Sequence, residues 1–250
     1  MPMPSIRRIA TLSLILASAV TVTTAHASEA IRKEDIQFHK GASEATIKGR
    51  LQGDRTVDYR VRAAAGQTLV VRLRKSNPQN YFNVLPPGSK DVAMFVGQDG
   101  RDYKGVLPTD GDYTVRVYLM RAAARRNETG NYTLTVGVTG KALAPLPASK
   151  DALIPGTRYH ASAPVACTPP FDPKPQQCEA FVIRRGFDGT ATVEIRGPGS
   201  TRRSILFVAG APVASDAMDS MAHSRDGDLT VVKFGEDERY EIPDALVRGG

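Results

Sequence analysis

Between Ala45 and Val138 the chain repeats one pattern, in which apolar residues occupy every second position in short runs separated by turn residues. A two-residue period puts successive side chains on opposite faces, as in a strand with one buried side. Ala45, Ile47, Gly49 and Leu51 form the first run, and Val57, Tyr59 and Val61 the second. In the third, Leu69, Val71 and Leu73 face one way while Arg72 and Arg74 face the other. Tyr81 to Leu85 and Val92 to Val96 follow, then Tyr113, Val115, Val117 and Leu119, and finally Tyr132, Leu134, Val136 and Val138. Gly53-Asp54, Gly66-Gln67, Pro86-Pro87-Gly88 and Asp110-Gly111 supply turn and hairpin signals between them. About eight strands at this spacing predict an antiparallel, jelly-roll-like β-sandwich.

One segment breaks the alternation. Residues 120–130 have helix-forming composition, with Ala122, Ala123 and Ala124 flanked by Arg121, Arg125 and Arg126, yet they lie between two strands. The stretch is too short for a self-supporting helix. It reads as a protruding loop with about one helical turn.

The N-terminus reads as an export signal. Arg7 and Arg8 precede an apolar run from Ile9 to Val22, and Ala25-His26-Ala27 provides the small residues of a cleavage site. A signal peptide over residues 1–27 is expected, and with it an oxidising, periplasmic location. The apolar run, interrupted by Ser and Thr, is too short to span a bilayer comfortably, and no later stretch is apolar enough to cross one.

The remaining chain divides by charge. Residues 28–150 carry 20 basic and 12 acidic side chains, a net of +8, whereas residues 151–250 carry 11 and 14, a net of −3. The expected organisation is a sandwich over residues 28–140, a Pro/Ala linker over 141–150 containing Pro145 and Pro147, and a small β-rich domain over 151–250. In that second part, 180–184, 191–196, 204–209, 229–234 and 239–242 are strand candidates. Cys167 and Cys178, the only cysteines, enclose a proline-rich loop and are expected to form a disulfide after export. Two cysteines without neighbouring histidines are too few ligands for a metal site.

No catalytic constellation is legible. The chain has no Gly-x-Ser-x-Gly, no His-Glu-x-x-His and no phosphate-cradling glycine loop. Asp99, Asp102, Asp110 and Asp112 lack the placement of a calcium loop and read as turn formers. No enzyme activity, cofactor or metal is expected. Nucleic acid is a poor partner, because no strand interleaves aromatic and basic residues as a stacking platform does.

The informative feature is the arginine-rich protrusion: Arg116 and Tyr118 on the strand before it, then Arg121, Arg125 and Arg126 within it. Guanidinium groups pair bidentately with carboxylates, and Arg and Tyr are enriched at binding hot spots. Such a loop on a rigid sandwich suits entry into an acidic cleft. The alternative is that the arginines are solvated, or that Arg125 or Arg126 pairs with Glu128.

Two stretches, Asn80 to Ser89 and Leu107 to Val136, resemble the bacterial periplasmic inhibitors of goose-type (g-type) lysozyme. More loosely, Asp110-Gly111-Asp112-Tyr113 and the closing strand from Asn131 to Val136 are similar to prepeptidase C-terminal β-sandwiches. The first resemblance spans roughly residues 45–138. It implies a compact β-sandwich that binds g-type lysozyme and blocks its substrate cleft with protruding loops. On the matching positions it implies Arg116, Tyr118, Arg121, Arg125 and Arg126 as first partner-binding residues, with Tyr81 and Asn83 second. Alternation puts Tyr81 and Asn83 opposite Phe82 and Val84, hence outward if the latter pair fills the core. Family members are single domains ending near Val138, so the role of residues 151–250 is not implied. The rival reading is a carbohydrate- or peptidoglycan-binding module, against which the absence of tryptophan counts.

Overall fold

The computed structural model describes residues 31–172 and 174–249. The expected signal peptide therefore lies outside the described residues.

The first part builds two sheets. One has five strands: β1 (Arg32–Asp35), β3 (Val57–Ala63), β8 (Gly111–Leu119), β5 (Asn80–Leu85) and β6 (Phe95–Val96), in that spatial order. The other has four: β2 (Glu44–Gln52), β9 (Thr129–Thr139), β4 (Thr68–Lys75) and β7 (Tyr103–Val106). All pairings are antiparallel except that of β1 with β3. In β8 the alternation is complete: Tyr113, Val115, Val117 and Leu119 are buried and their neighbours are not. These side chains meet Val57, Tyr59 and Val61 of β3, Leu69 and Val71 of β4, and Leu134 and Val136 of β9 in one core between the sheets. Full burial of each such side chain contributes about 1.5–3 kcal/mol. Tyr59 and Tyr132 bridge the sheets through their hydroxyls at 2.7 Å. Tyr132 needs Gly49 opposite it, since a Cβ there would sit 2.3 Å from the tyrosine ring.

The second part is an eight-stranded sheet. Its spatial order is β14 (Ala211–Ser215), β13 (Arg202–Val208), β12 (Ala191–Arg196), β11 (Gln176–Arg184), β10 (Ala161–Thr168), β17 (Glu238–Pro243), β16 (Leu229–Phe234) and β15 (Met221–Asp226). The sequence candidates account for five of these strands; β10, β14 and β15 are additional. Val165, Val182, Val193, Ile205, Phe207, Val232 and Ile242 form its core, covered by Leu246 and Val247 of the short helix α2 (Asp244–Arg248). The expected disulfide is present, joining Cys167 on β10 to Cys178 on β11 with Cα atoms 5.9 Å apart. The chain is all-β, as the alternation predicted.

The two parts are tied together by polar and apolar contacts. Ala65, Leu143, Leu206 and Ala214 form a small shared cluster. Thr192 donates to the Pro108 carbonyl at 2.7 Å, and Thr109 donates to Glu194 at 3.2 Å. Arg185 pairs with Asp110, and its side chain is fully buried. Residues 141–150 have no regular structure but are hydrogen-bonded on both sides: Leu143 N–H to Ala65 and Leu146 N–H to Arg184.

Candidate functional site

The outer face of the five-stranded sheet collects most of the sequence-predicted site residues. Because β8 pairs with β3 on one side and β5 on the other, Arg116 lies between Asp58 and Asn83. One row further along, Tyr118 is opposite Tyr81. Phe82 and Val84 are buried while Tyr81 and Asn83 are half-buried, so the outward orientation expected for the latter pair is the one observed.

Hydrogen bonds fix these side chains. Arg116 makes a bidentate pair with Asp58, Nε to Oδ1 at 2.7 Å and Nη2 to Oδ2 at 2.9 Å. Asp91 adds a longer contact at 3.7 Å. The Asp58 hydrogen bonds raise the Arg116 pKa, against the opposing effect of burial. The Tyr118 hydroxyl donates to Asn83 Oδ1 at 3.1 Å. Lys75 Nζ lies 3.9 Å from the Tyr81 ring centroid, a cation–π distance, and partial burial lowers its pKa. The result is a preorganised polar surface in which guanidinium, amide and phenol groups hold their orientation before any partner arrives.

The arginine-rich segment follows directly. Residues 121–125 form the short helix α1 (Arg121–Arg125), the helical turn that composition suggested. It has no side-chain N-cap and holds its shape through its surroundings. Ala123 is fully buried in the sandwich core, and the Met120 N–H bonds the Gln79 carbonyl. The segment returns through Asn127, whose φ is +54°, and Gly53, whose N–H bonds the Glu128 carbonyl. Gly53 itself has φ +61°, and a Cβ there would approach Asn127 Oδ1 to 2.8 Å, so this turn needs glycine.

The three arginines of this segment divide into two kinds. Arg126 is tied back to Glu128, Nε to Oε1 at 2.7 Å. Asn77 donates to the other Glu128 oxygen at 2.9 Å. These two hydrogen bonds, the Asn77 one foremost, hold the Glu128 carboxyl below its usual pKa. Arg121 and Arg125 are exposed and make no hydrogen bond or ion pair among the described residues. Four residues apart, they project from the same side of the helix.

Asp58, Asp91 and Lys75 were not read as site residues. Asp58 had a signal, an acid inserted between Val57 and Tyr59, but its partner lies 58 positions away and register alone reveals it.

The fold and this face define a β-sandwich that presents ordered polar groups and two unpaired guanidinium groups at one end. No family model matches the chain. Among curated proteins, the inhibitor of g-type lysozyme from Escherichia coli strain K12 is 26% identical over 141 residues, which is 55% of this chain and 99% of that protein. Among solved structures, Aeromonas hydrophila PliG, a periplasmic inhibitor of g-type lysozyme, is 36% identical, with a TM-score of 0.42. The similarity covers 44% of this chain and 97% of that one. A PliG mutant from Escherichia coli is 28% identical, with a TM-score of 0.36, over 44% and 100% of the two chains. The curated relative bears out the resemblance to the inhibitors of g-type lysozyme. That match takes in little more than half of this chain and almost all of its counterpart.

Proposed function

We propose that this protein is a periplasmic inhibitor of g-type lysozyme, acting by binding and making or breaking no bond itself. The observation that carries the reading is the sheet face of Tyr81, Asn83, Arg116 and Tyr118 with the unpaired Arg121 and Arg125 beside it, set in a sandwich similar to such inhibitors. A glycosidase cleft holds carboxylates that protonate the leaving oxygen and activate water. Arg121 and Arg125 are free to pair with them, excluding sugar and water alike. Arg116, already committed to Asp58, serves instead as a fixed donor that orients the face. A partner covering this end buries about 1,600 Å² in a standard-size interface, with the arginines and tyrosines as anchors.

The test is lysis of a peptidoglycan-rich cell suspension by g-type lysozyme in the presence of the purified mature chain, with hen-type lysozyme as control. Selective block of the g-type enzyme at near-stoichiometric ratio is the expected result. Unimpeded lysis at excess of folded protein rejects the proposal. In that case, pelleting of the chain with cell walls alone supports a wall-binding module.

A further inference from the structure

A cavity lies next to this sheet face, and Asp91, 3.7 Å from Arg116, is in its lining. It is a cleft of about 900 Å³ lined by the Pro86–Ala93 loop of the sandwich and by β12, β13 and the turn before β17 in the eight-stranded sheet. That volume suits a small ligand or short peptide. Arg203 pairs bidentately with Glu238, at 2.6 and 2.9 Å, and bonds Asp216 at 3.1 Å. The Arg203–Glu238 pair joins β13 to β17 and so brings the acidic turn at Glu236 and Asp237 toward the start of β13.

The charges lining the cleft are unevenly satisfied. Arg158 is spent on Glu194 at 2.5 Å. Arg196 and Arg202 are direct cross-strand partners on β12 and β13, and like charges so placed weaken a sheet. No carboxylate pairs with either among the described residues. Glu179, in register on the far side of Arg196, forms no ion pair with it. Arg196 is nonetheless held in place: its guanidinium lies 4.3 Å from the Phe181 ring centroid and donates to the Tyr159 hydroxyl at 2.8 Å. Arg202 makes no hydrogen bond among the described residues and reaches toward the Gly88 turn, Nη1 lying 3.7 Å from where a Gly88 Cβ would be. Asp219, Glu236 and Asp237 also line the cleft and have no cationic partner among the described residues. Phe171 and Met218, 97% and 61% exposed, stand on the same cleft as apolar contacts without a partner.

We propose that this cleft binds a short peptide carrying both signs of charge, its carboxylate on Arg196 and Arg202 and an ammonium toward Asp219, Glu236 and Asp237. A bidentate guanidinium pair supplies orientation at one end. Phe171 and Met218 cover the apolar part of the peptide between the ends. The site shares Asp91 with the edge of the sheet face, where that residue lies 3.7 Å from Arg116, but uses none of the residues proposed to contact lysozyme.

Calorimetric titration of the full mature chain with an alanine–lysine–alanine tripeptide tests it, alongside the same tripeptide amidated at its C-terminus, the same tripeptide with both amines acetylated, and N-acetylmuramic acid. Saturable binding of the free tripeptide is expected, weakened about tenfold or more by amidation or by acetylation. Arg202→Gln, an exposed change, is expected to weaken binding of the free tripeptide by a similar factor and to leave the amidated one unaffected. Absence of binding at millimolar concentration overturns the proposal, as does equal binding of free and blocked tripeptides. N-Acetylmuramic acid binding as tightly as the free tripeptide also overturns it, since a carboxylate alone would then suffice.

Discussion

Arg185 and Asp110 join the two parts of the chain through a bidentate ion pair, Nη2 to Oδ2 at 2.9 Å and Nη1 to Oδ1 at 3.3 Å. Asp110 Oδ1 also accepts the Ala65 N–H at 2.9 Å, and Arg185 donates to Thr192 and to the Leu143 carbonyl. The guanidinium is fully buried, so its charge depends on this one carboxylate. Asp110→Ala leaves that charge uncompensated and is expected to cost about 3–5 kcal/mol. Replacing both partners with apolar residues of similar volume is expected to cost much less. Urea denaturation of the single and double variants measures the difference.

Arg121→Glu and Arg125→Glu are expected to weaken lysozyme inhibition by about tenfold or more each, as loss of a charge-assisted anchor implies. Both side chains are exposed and unpaired, so the melting temperature should stay within a degree or two, as for most surface changes. Arg126→Ala is expected to behave differently, releasing Glu128 and loosening the segment behind α1. If Arg121 and Arg125 reversals inhibit as well as the parent, the anchoring role of α1 is wrong.

The Glu128 clamp carries a pH signature. Hydrogen bonds from Asn77 and Arg126 depress its pKa below the unfolded value, so the folded protein favours the ionised form. The stabilisation is complete above the ordinary glutamate pKa of about 4.3 and fades as pH falls through the depressed one. Amide exchange in residues 120–130 should therefore accelerate below about pH 4, before the sheets open. Glu128→Gln should abolish that step.

Reduction of Cys167–Cys178 releases a loop of sequence separation 11. The chain-entropy model assigns such a crosslink about 3 kcal/mol. Thermal melts with and without reductant, with thiol counting by mass, should show the loss. Lysozyme inhibition below the melting temperature should be unchanged, because the disulfide lies in the other part of the chain from α1.

Strands with one buried face were readable from sequence because their apolar side chains alternate without interruption, as in Tyr113 to Leu119. Those that escaped lack this pattern for identifiable reasons. In β10, Ala161, Ala163, Pro164 and Ala166 are small or carry a breaker signal, and burial falls mainly on Val165 and Cys167. β15, from Met221 to Asp226, is polar and mostly exposed, and its pairing with β16 supplies what its side chains do not. The site was legible as a set of residue types, and Tyr81, Asn83, Arg116 and Tyr118 do share a face. The tie of Arg126 to Glu128, two residues on, was among the alternatives legible in sequence; that of Arg116 was not, since register brings Asp58 in from a distant position.

Strand β8 begins beside Asp110, where the eight-stranded sheet is fastened, and ends at Leu119, where α1 begins. Its nine residues make a spacer of roughly 30 Å at the usual rise per residue. The sandwich is therefore gripped at one end and carries α1 at the other, like a tool mounted by its shank. Arg121 and Arg125 are thereby held a full strand length from the ion pair that fastens the second half.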